Sequence, residues 1–577
     1  MVRLVAVLIT LGGVAAAAAG ASGSGAAAAG ASGSGAAAGG TLGFLKNARA
    51  TSQKPAGWDE PSAIAVADDQ LFVASQNPEL SGNPGSPDLT LSFSTNSLRW
   101  SEDKQYYTYE SGRPEGTTGD VTMTSDNAHT VFVGHLTRAL QTDIDWSRDG
   151  GKSWHTADDV AKLPSPGGAS GQPFLVDRPW IGAYSPDTNF KHTDVYLEYH
   201  DFVTSDVYIV TCSMATGSLQ CGMPVAVSNP QTACNSIPGG VAISPKGSKH
   251  PGRVYAVWST ADPQTNLSSG CNYTQLAPFY AIYVAWSDHP SNSGSWHQAP
   301  VYIGPTGSAQ KCPDTALVAG VSTNTCADVS ELFTPVAVDQ AGNAYVAFDD
   351  YVSTLHKHYD IYVARSTDGG NTWDGRTDGK GKPVLVSNDG GTHFIPNLAT
   401  GSAGRVAVVY YTTTYSDRPF IKGDTCPSGV PPENPCQGKA RPEPPSAKWV
   451  VDVAESTNGA SAHPHFVQRQ ASDAGVVVHY GDICNLGIYC DGSSTGNRSL
   501  FENNSVFTDE NGYLVVAWGD QRLDKQAKAE AASSSAQSLQ EAHDNIYVAC
   551  QDSGPSLFAH PASLDRREMK GRVRCGI

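Results

Sequence analysis

Two arginines stand where a guanidinium fork could grip an anion: Arg178 in "DRPWIGAY" and Arg522 in "AWGDQR". The planar fork holds both oxygens of a carboxylate, so these residues are candidates for an anion or a sugar carboxylate. A salt bridge to Asp177 or Asp520 is the alternative use. Asp201, Asp349 and Asp482 are candidate proton donors and acceptors, and the same acids could cap turns or hold a cation. Tyr199, Tyr351 and Tyr411 are candidate nucleophiles, a role that needs a nearby carboxylate to take the phenolic proton. Stacking on a sugar or plain packing would use the same rings. His200, Tyr480 and Asp520 complete the substrate-binding candidates. His356 and His358 are two apart in "STLHKHYD", and without a third ligand they do not make a metal site.

These residues are carried by a repeated pattern of short strands. "SRDGGKSW" at 147–154 and "STDGGNTW" at 366–373 are the best-preserved copies of a longer period. Upstream of each lie alternating runs rich in Val, Tyr and Ile, separated by turn residues. Candidate first strands begin near 62, 120, 178, 239, 334, 396 and 504. Second strands are "QLFVAS", "TVFVGH", "DVYLEYH", "RVYAVW", "AYVAFDD", "RVAVVYY" and "YLVVAW". Third strands are "LTLSFS", "TDIDWS", "DVYIVT", "AIYVAWS", "DIYVARS", "VVDVAES" and "NIYVAC". Seven such triplets, each with room for a fourth strand, predict an all-β fold, a seven-bladed β-propeller of four-stranded antiparallel blades, with six blades as the alternative. A tandem of β-sandwiches fails because each unit of about 60 residues is short of the roughly 100 that a sandwich needs.

A propeller sends the loops between strands two and three, and those from one blade to the next, to one face. The insertions at 259–280, 303–333, 411–449, 466–503 and 521–544 all fall on that face, and the acids, tyrosines and arginines named above lie beside it. Long loops over one end of a rigid ring suit a binding or catalytic cleft. The octads fall between strands three and four, on the opposite face. There Asp149 and Asp368 can accept hydrogen bonds from the turn, the paired glycines allow positive φ, and Trp154 and Trp373 can fold back as apolar plugs. Residues 524–544 read as a short surface helix, and the basic C-terminal segment, tied by Cys575, as the closure of the ring.

Composition agrees. The 577 residues include 59 Gly, 36 Pro and 23 Tyr with only 16% charged residues, as a turn-rich β protein would. A net charge of −18 disfavours nucleic acid and an anionic membrane surface as partners. Residues 1–20 read as a secretory signal peptide and 21–45 as a disordered Ala/Gly/Ser leader, leaving 46–577 as one propeller domain. The expected location is therefore extracellular, with no membrane contact after cleavage, and the expected state is a monomer. Twelve cysteines in sequence-local couples suit disulfides in an oxidising compartment. The couples are Cys212/Cys221, Cys234/Cys271, Cys312/Cys326, Cys426/Cys436, Cys484/Cys490 and Cys550/Cys575. No cofactor is expected beyond a structural calcium that the acidic loops would admit.

The octads, each following an "I-D-W" or "I-Y-V-A" strand, resemble the Asp-box or BNR repeat of the sialidase superfamily. "DRPWIGAYS…DVYLEYHDF" and "GDICNLG…ENGYLVVAWGDQR" resemble stretches of secreted bacterial sialidase-like proteins. The resemblance spans about residues 60–557. It implies a propeller and an exo-acting, sialidase-like glycoside hydrolase on glycans bearing acidic sugars. Sialidase catalytic domains have six blades, an early Arg-Ile-Pro motif, three clamping arginines, a Tyr–Glu pair and an Asp acid/base. Here seven repeats are counted, that motif is absent, and no Arg–Glu–Tyr set carries over residue by residue. Two other readings therefore stay open: a non-catalytic propeller that binds a glycan or protein, and a polysaccharide lyase using His479–Tyr480 or Tyr199–His200.

Overall fold

The computed structural model describes residues 41–559 with breaks in the connecting segments, the longest at 77–88, 162–175, 262–278, 305–328, 426–442, 484–499 and 530–543. Seven separate antiparallel sheets form; in six of them the strands follow one another outward in chain order, and in the seventh the outer strands come from the N-terminal side. The innermost strands are Asp59–Val66, Thr117–Ser125, Val176–Tyr184, Ile237–Ile243, Val336–Val338, Thr392–Thr400 and Asn504–Thr508. Each packs against the next, and the last packs against the first, so the ring is closed. The blade count is seven, not six.

Burial explains why the sequence forms this ring. The second strand of every blade is nearly or wholly buried, because it is covered on both faces by neighbouring blades. Seven apolar clusters fill the seven gaps between blades. Blades six and seven meet through Phe394, Tyr411, Trp449 and Trp518. Blades seven and one meet through Val515, Ala517, Ala63 and Val73.

The closing strands come from the N-terminal side. Gly43–Phe44 and Ala48–Arg49 pair with Asn545–Ser553 and supply the outer positions of blade seven. They cover an edge that would otherwise be open, and they tie the two ends of the ring together. Among the described residues the first strand of the ring is Gly43–Phe44, and the basic C-terminal segment lies outside the described residues. So do the signal peptide, most of the leader, most of the expected helix at 524–544 and most of the five insertions. Their anchor points nonetheless fall where expected: each insertion joins a second strand to a third, or a blade to the next. A helix the sequence reading missed, Lys104–Ser111, follows the outer strand of blade one and is capped by Asp103. Cys212 and Cys221 are disulfide-bonded, and Cys234 and Cys550 are also in disulfides.

Both octads close in the same way. Asp368 accepts from Ser366 Oγ (2.9 Å), Thr372 N–H (2.9 Å) and Thr372 Oγ1 (2.7 Å), and Trp373 Nε1 donates to Gly370 O at 3.1 Å. Asp149 accepts from Ser147, Lys152 and Ser153, with Trp154 donating to Gly151 O. Both glycine pairs have positive φ, from 71° to 97°. The acid is the hub of the turn. Asp368→Ala is expected to cost about 1–2 kcal/mol, read from the midpoint of urea unfolding.

A buried ion pair ties blade two together. His135 Nε2 lies 3.0 Å from Asp145 Oδ2, which also accepts from Tyr106 OH at 2.9 Å. Burial opposes charge on His135, but Asp145 outweighs it and pushes the imidazole up to about 9. The folded state therefore holds this proton more tightly than the unfolded chain does. That stabilisation is complete below the ordinary histidine range, near pH ~6.5, and is lost as pH rises through about 9. Wild-type unfolding free energy should fall across this window. The slope should be shallower in His135→Gln.

Candidate functional site at the mouth of the ring

In five blades the innermost strand starts with a register shift, where one residue is squeezed out of the ladder. Glu60 (φ 44°), Asp120 (φ 35°), Arg178 (φ 54°) and Ile395 (φ 59°) occupy these positions in four blades; in blade four Gly239 does, followed by Gly240 (φ 141°). Only glycine adopts this conformation freely, so each of the others stores on the order of 1–3 kcal/mol of strain. Bulges of this kind re-aim side chains: here those of Glu60, Asp120 and Arg178 are brought together, while Ile395 enters the core between blades six and seven. Prolines follow Glu60, Arg178 and Ile395, where a missing N–H costs no ladder bond.

Four amides freed by the bulges are capped by carboxyl or amide side chains. Gln76 Oε1 accepts from Asp120 N (2.9 Å), Glu198 Oε2 from Gly240 N (3.1 Å) and Asp349 Oδ2 from Ile395 N (3.3 Å). Arg178 N donates to Asp120 Oδ2 at 3.3 Å. Asp349, proposed from sequence as an acid or base, thus sits within one blade-to-blade joint.

The bulges of blades one, two and three converge. Arg178 forks onto Glu60, Nη1 to Oε2 at 2.9 Å and Nη2 to Oε1 at 3.0 Å. Its Nη1 also lies 3.3 Å from Asp120 Oδ1, and its guanidinium carbon lies 4.6 Å above the Phe333 ring. Asp177 contacts His200 Nε2 at 3.3 Å and is hydrogen-bonded to Asp120. Glu60, His200 and Arg178 are buried. The Asp120 and Asp177 side chains stay 15% and 21% exposed, so they are the members of this cluster most open to solvent.

The two aspartates are driven apart in acidity. Burial raises Asp120 well above the usual carboxylate range; Glu60 and Asp177 add to this, and Arg178 only partly offsets it. Burial also acts to raise Asp177, but its hydrogen bond and charge contact with His200, then Arg178, hold it below that range. Within this coupled pair the proton is held more tightly at Asp120 than at Asp177. This is the arrangement in which a proton donor and a proton acceptor coexist at one pH. Arg178 and His200 were anticipated from sequence, and Asp177 only as a salt-bridge partner of Arg178. Glu60 and Asp120 were missed, although "DEP" at 59 and "DRP" at 177 stand at the same offset before an innermost strand.

The other candidates lie elsewhere. Arg522 binds Asp520 through Nη2 (2.7 Å) and Asp473 through Nη1 (2.9 Å), and stacks 4.0 Å over Tyr547. Asn47 Oδ1 accepts from its Nη2 at 2.9 Å, so this arginine secures the closing strand. A cavity of about 300 Å³ lies at the same seam, lined in part by Phe44, Arg469 and Asp473. Asp201 caps a turn by accepting from Thr204 N at 3.0 Å. Tyr199 is buried and stacked on Tyr208 at 5.5 Å; Tyr411 is buried between blades six and seven; Tyr351 is half-buried against Tyr359. Burial raises all three phenols and keeps them protonated. Tyr480 is half-buried beside Gln521, to which its N–H donates at 3.4 Å. Asp482 lies against Glu443, and burial pushes it up to about 6. His358 approaches Asp360 at 3.5 Å, while His356 lies outside the described residues. Among the described residues, no helix is long and apolar enough to cross a membrane.

No family model and no curated protein sequence matches the chain. Among solved structures, a Penicillium chrysogenum alpha-L-arabinanase complexed with arabinobiose is 13% identical, at a TM-score of 0.37 over 64% of this chain and 94% of that one. A polysaccharide lyase, an ulvan lyase bound to a GlcA–Rha3S saccharide, is 11% identical, at 0.41 over 92% and 98%. A Hadza microbial sialidase is 13% identical, at 0.34 over 61% and 63%. The protein is a seven-bladed, all-β propeller whose structural neighbours include an arabinanase, a polysaccharide lyase and a sialidase.

Proposed function

We propose that the protein is a secreted, carbohydrate-active propeller, an exo-acting glycoside hydrolase on glycans bearing acidic sugars. The observation that carries this is the contact between Asp120 and Asp177 beneath Arg178, in the solvent-reached part of a strained central cluster. A pure binding surface has no use for a close acid pair with opposed acidities. Asp120 gives its proton to the leaving glycosidic oxygen as the C–O bond breaks. Water adds at the anomeric carbon and loses its proton to solvent, which restores Asp120, while Asp177, oriented by His200, lies against Asp120 and holds it in its acid form. A sugar carboxylate reaches Arg178 by exchange with Asp120, its partner at 3.3 Å, rather than with Glu60, which holds both fork nitrogens.

The test is hydrolysis of sialosides and uronic-acid glycans by wild type and Asp120→Asn. Release of a monosaccharide by wild type and its loss in the variant support the proposal. Retention on a glycan array without turnover would replace it with the binding reading. An unsaturated uronate product would indicate a lyase.

A further inference from the structure

We propose that Glu443 and Asp482 form a site for a hard divalent cation, calcium by preference, on the mouth face of blade six. This stands apart from the hydrolase proposal and uses none of its residues. Asp417 and Glu443 lie on the connection between the second and third strands of blade six, Val406–Thr413 and Lys448–Ser456. Asp482 lies on the connection that leads to blade seven.

Glu443 N–H donates to Asp482 Oδ1 at 3.3 Å, which brings that carboxylate to the base of the glutamate. The two side chains are within hydrogen-bonding reach of each other, and Asp417 adds a third negative charge. Two ionised carboxylates offer only acceptors to one another. Glu443 is 4% exposed, and among the described residues neither of its carboxylate oxygens has a hydrogen-bond donor. Leaving such a group buried without compensation is costly. A proton shared with Asp482 would satisfy one oxygen and leave the other without a donor. A calcium ion takes both, because it accepts bidentate carboxylates in flexible geometry at 2.3–2.6 Å, roughly. The donors in reach are oxygens. His479, the neighbouring imidazole, has Nε2 engaged with Asp482 O at 2.7 Å, so the set suits calcium better than zinc.

The full chain, stripped with EDTA and then dialysed free of it, is titrated with CaCl2 and separately with MgCl2, by calorimetry and thermal unfolding. The expected result is one calcium per chain and a rise in Tm, with binding weakened at least a hundredfold in Glu443→Gln. Without calcium, Glu443→Gln should melt at or above wild type, because it removes an unpaired buried charge. A wild type that binds no calcium and shows no Tm shift overturns the site, as does a response to magnesium alone. Calcium binding that is unchanged in both Glu443→Gln and Asp482→Asn also overturns it.

Discussion

Arg178→Met is expected to destabilise the folded protein by about 3–5 kcal/mol, the cost of stripping a buried carboxylate of its partner. Glu60 is 1% exposed, and both of its oxygens are held by this one side chain. Asp120 would lose its nearest cation at the same time. The measurement is the unfolding free energy by urea. The diagnostic arm is the double variant Arg178→Met/Glu60→Gln, which should recover part of the loss because the stranded charge is gone. If the double variant is no better than the single, the fork is not what stabilises this part of the ring.

Asp120→Asn should lower turnover of a glycan substrate roughly a hundred- to ten-thousand-fold, the usual contribution of a positioned proton donor. Asp177→Asn should also lower turnover, by less, and should shift the pH profile. The Asp177 charge helps hold Asp120 protonated, so removing it lowers the Asp120 pKa. The alkaline limb of the residual activity should then move to lower pH. An unchanged profile in Asp177→Asn would remove the assignment of Asp177 as the group that holds Asp120 in its acid form. Thermal unfolding of both variants distinguishes lost chemistry from lost fold.

The architecture was written in local patterns. Alternation of two, Gly/Asn turns and the paired octads each depend on neighbours close in sequence, so strands such as Ala344–Asp350 and Asp360–Ser366 could be recognised without knowing what covers them. Connectivity then fixed which face the insertions would share. Ring closure was not local. Residues 43–49 pair with Asn545–Ser553 across nearly the whole chain, and no spacing rule distinguishes that partner from the C-terminal tail.

The site divides along the same line. The sequence by itself determined a seven-bladed ring whose insertions are anchored on one face, and it marked Arg178 and His200 as residues near that face. Only the tertiary structure decided that Glu60, Asp120, Asp177 and Arg178 meet, and that Arg522 serves the seam instead. The reason is that a propeller brings equivalent positions of different blades to one axis. A residue's partners there are set by its height on the innermost strand and by a bulge that turns it inward, while its partners in sequence lie along its own blade.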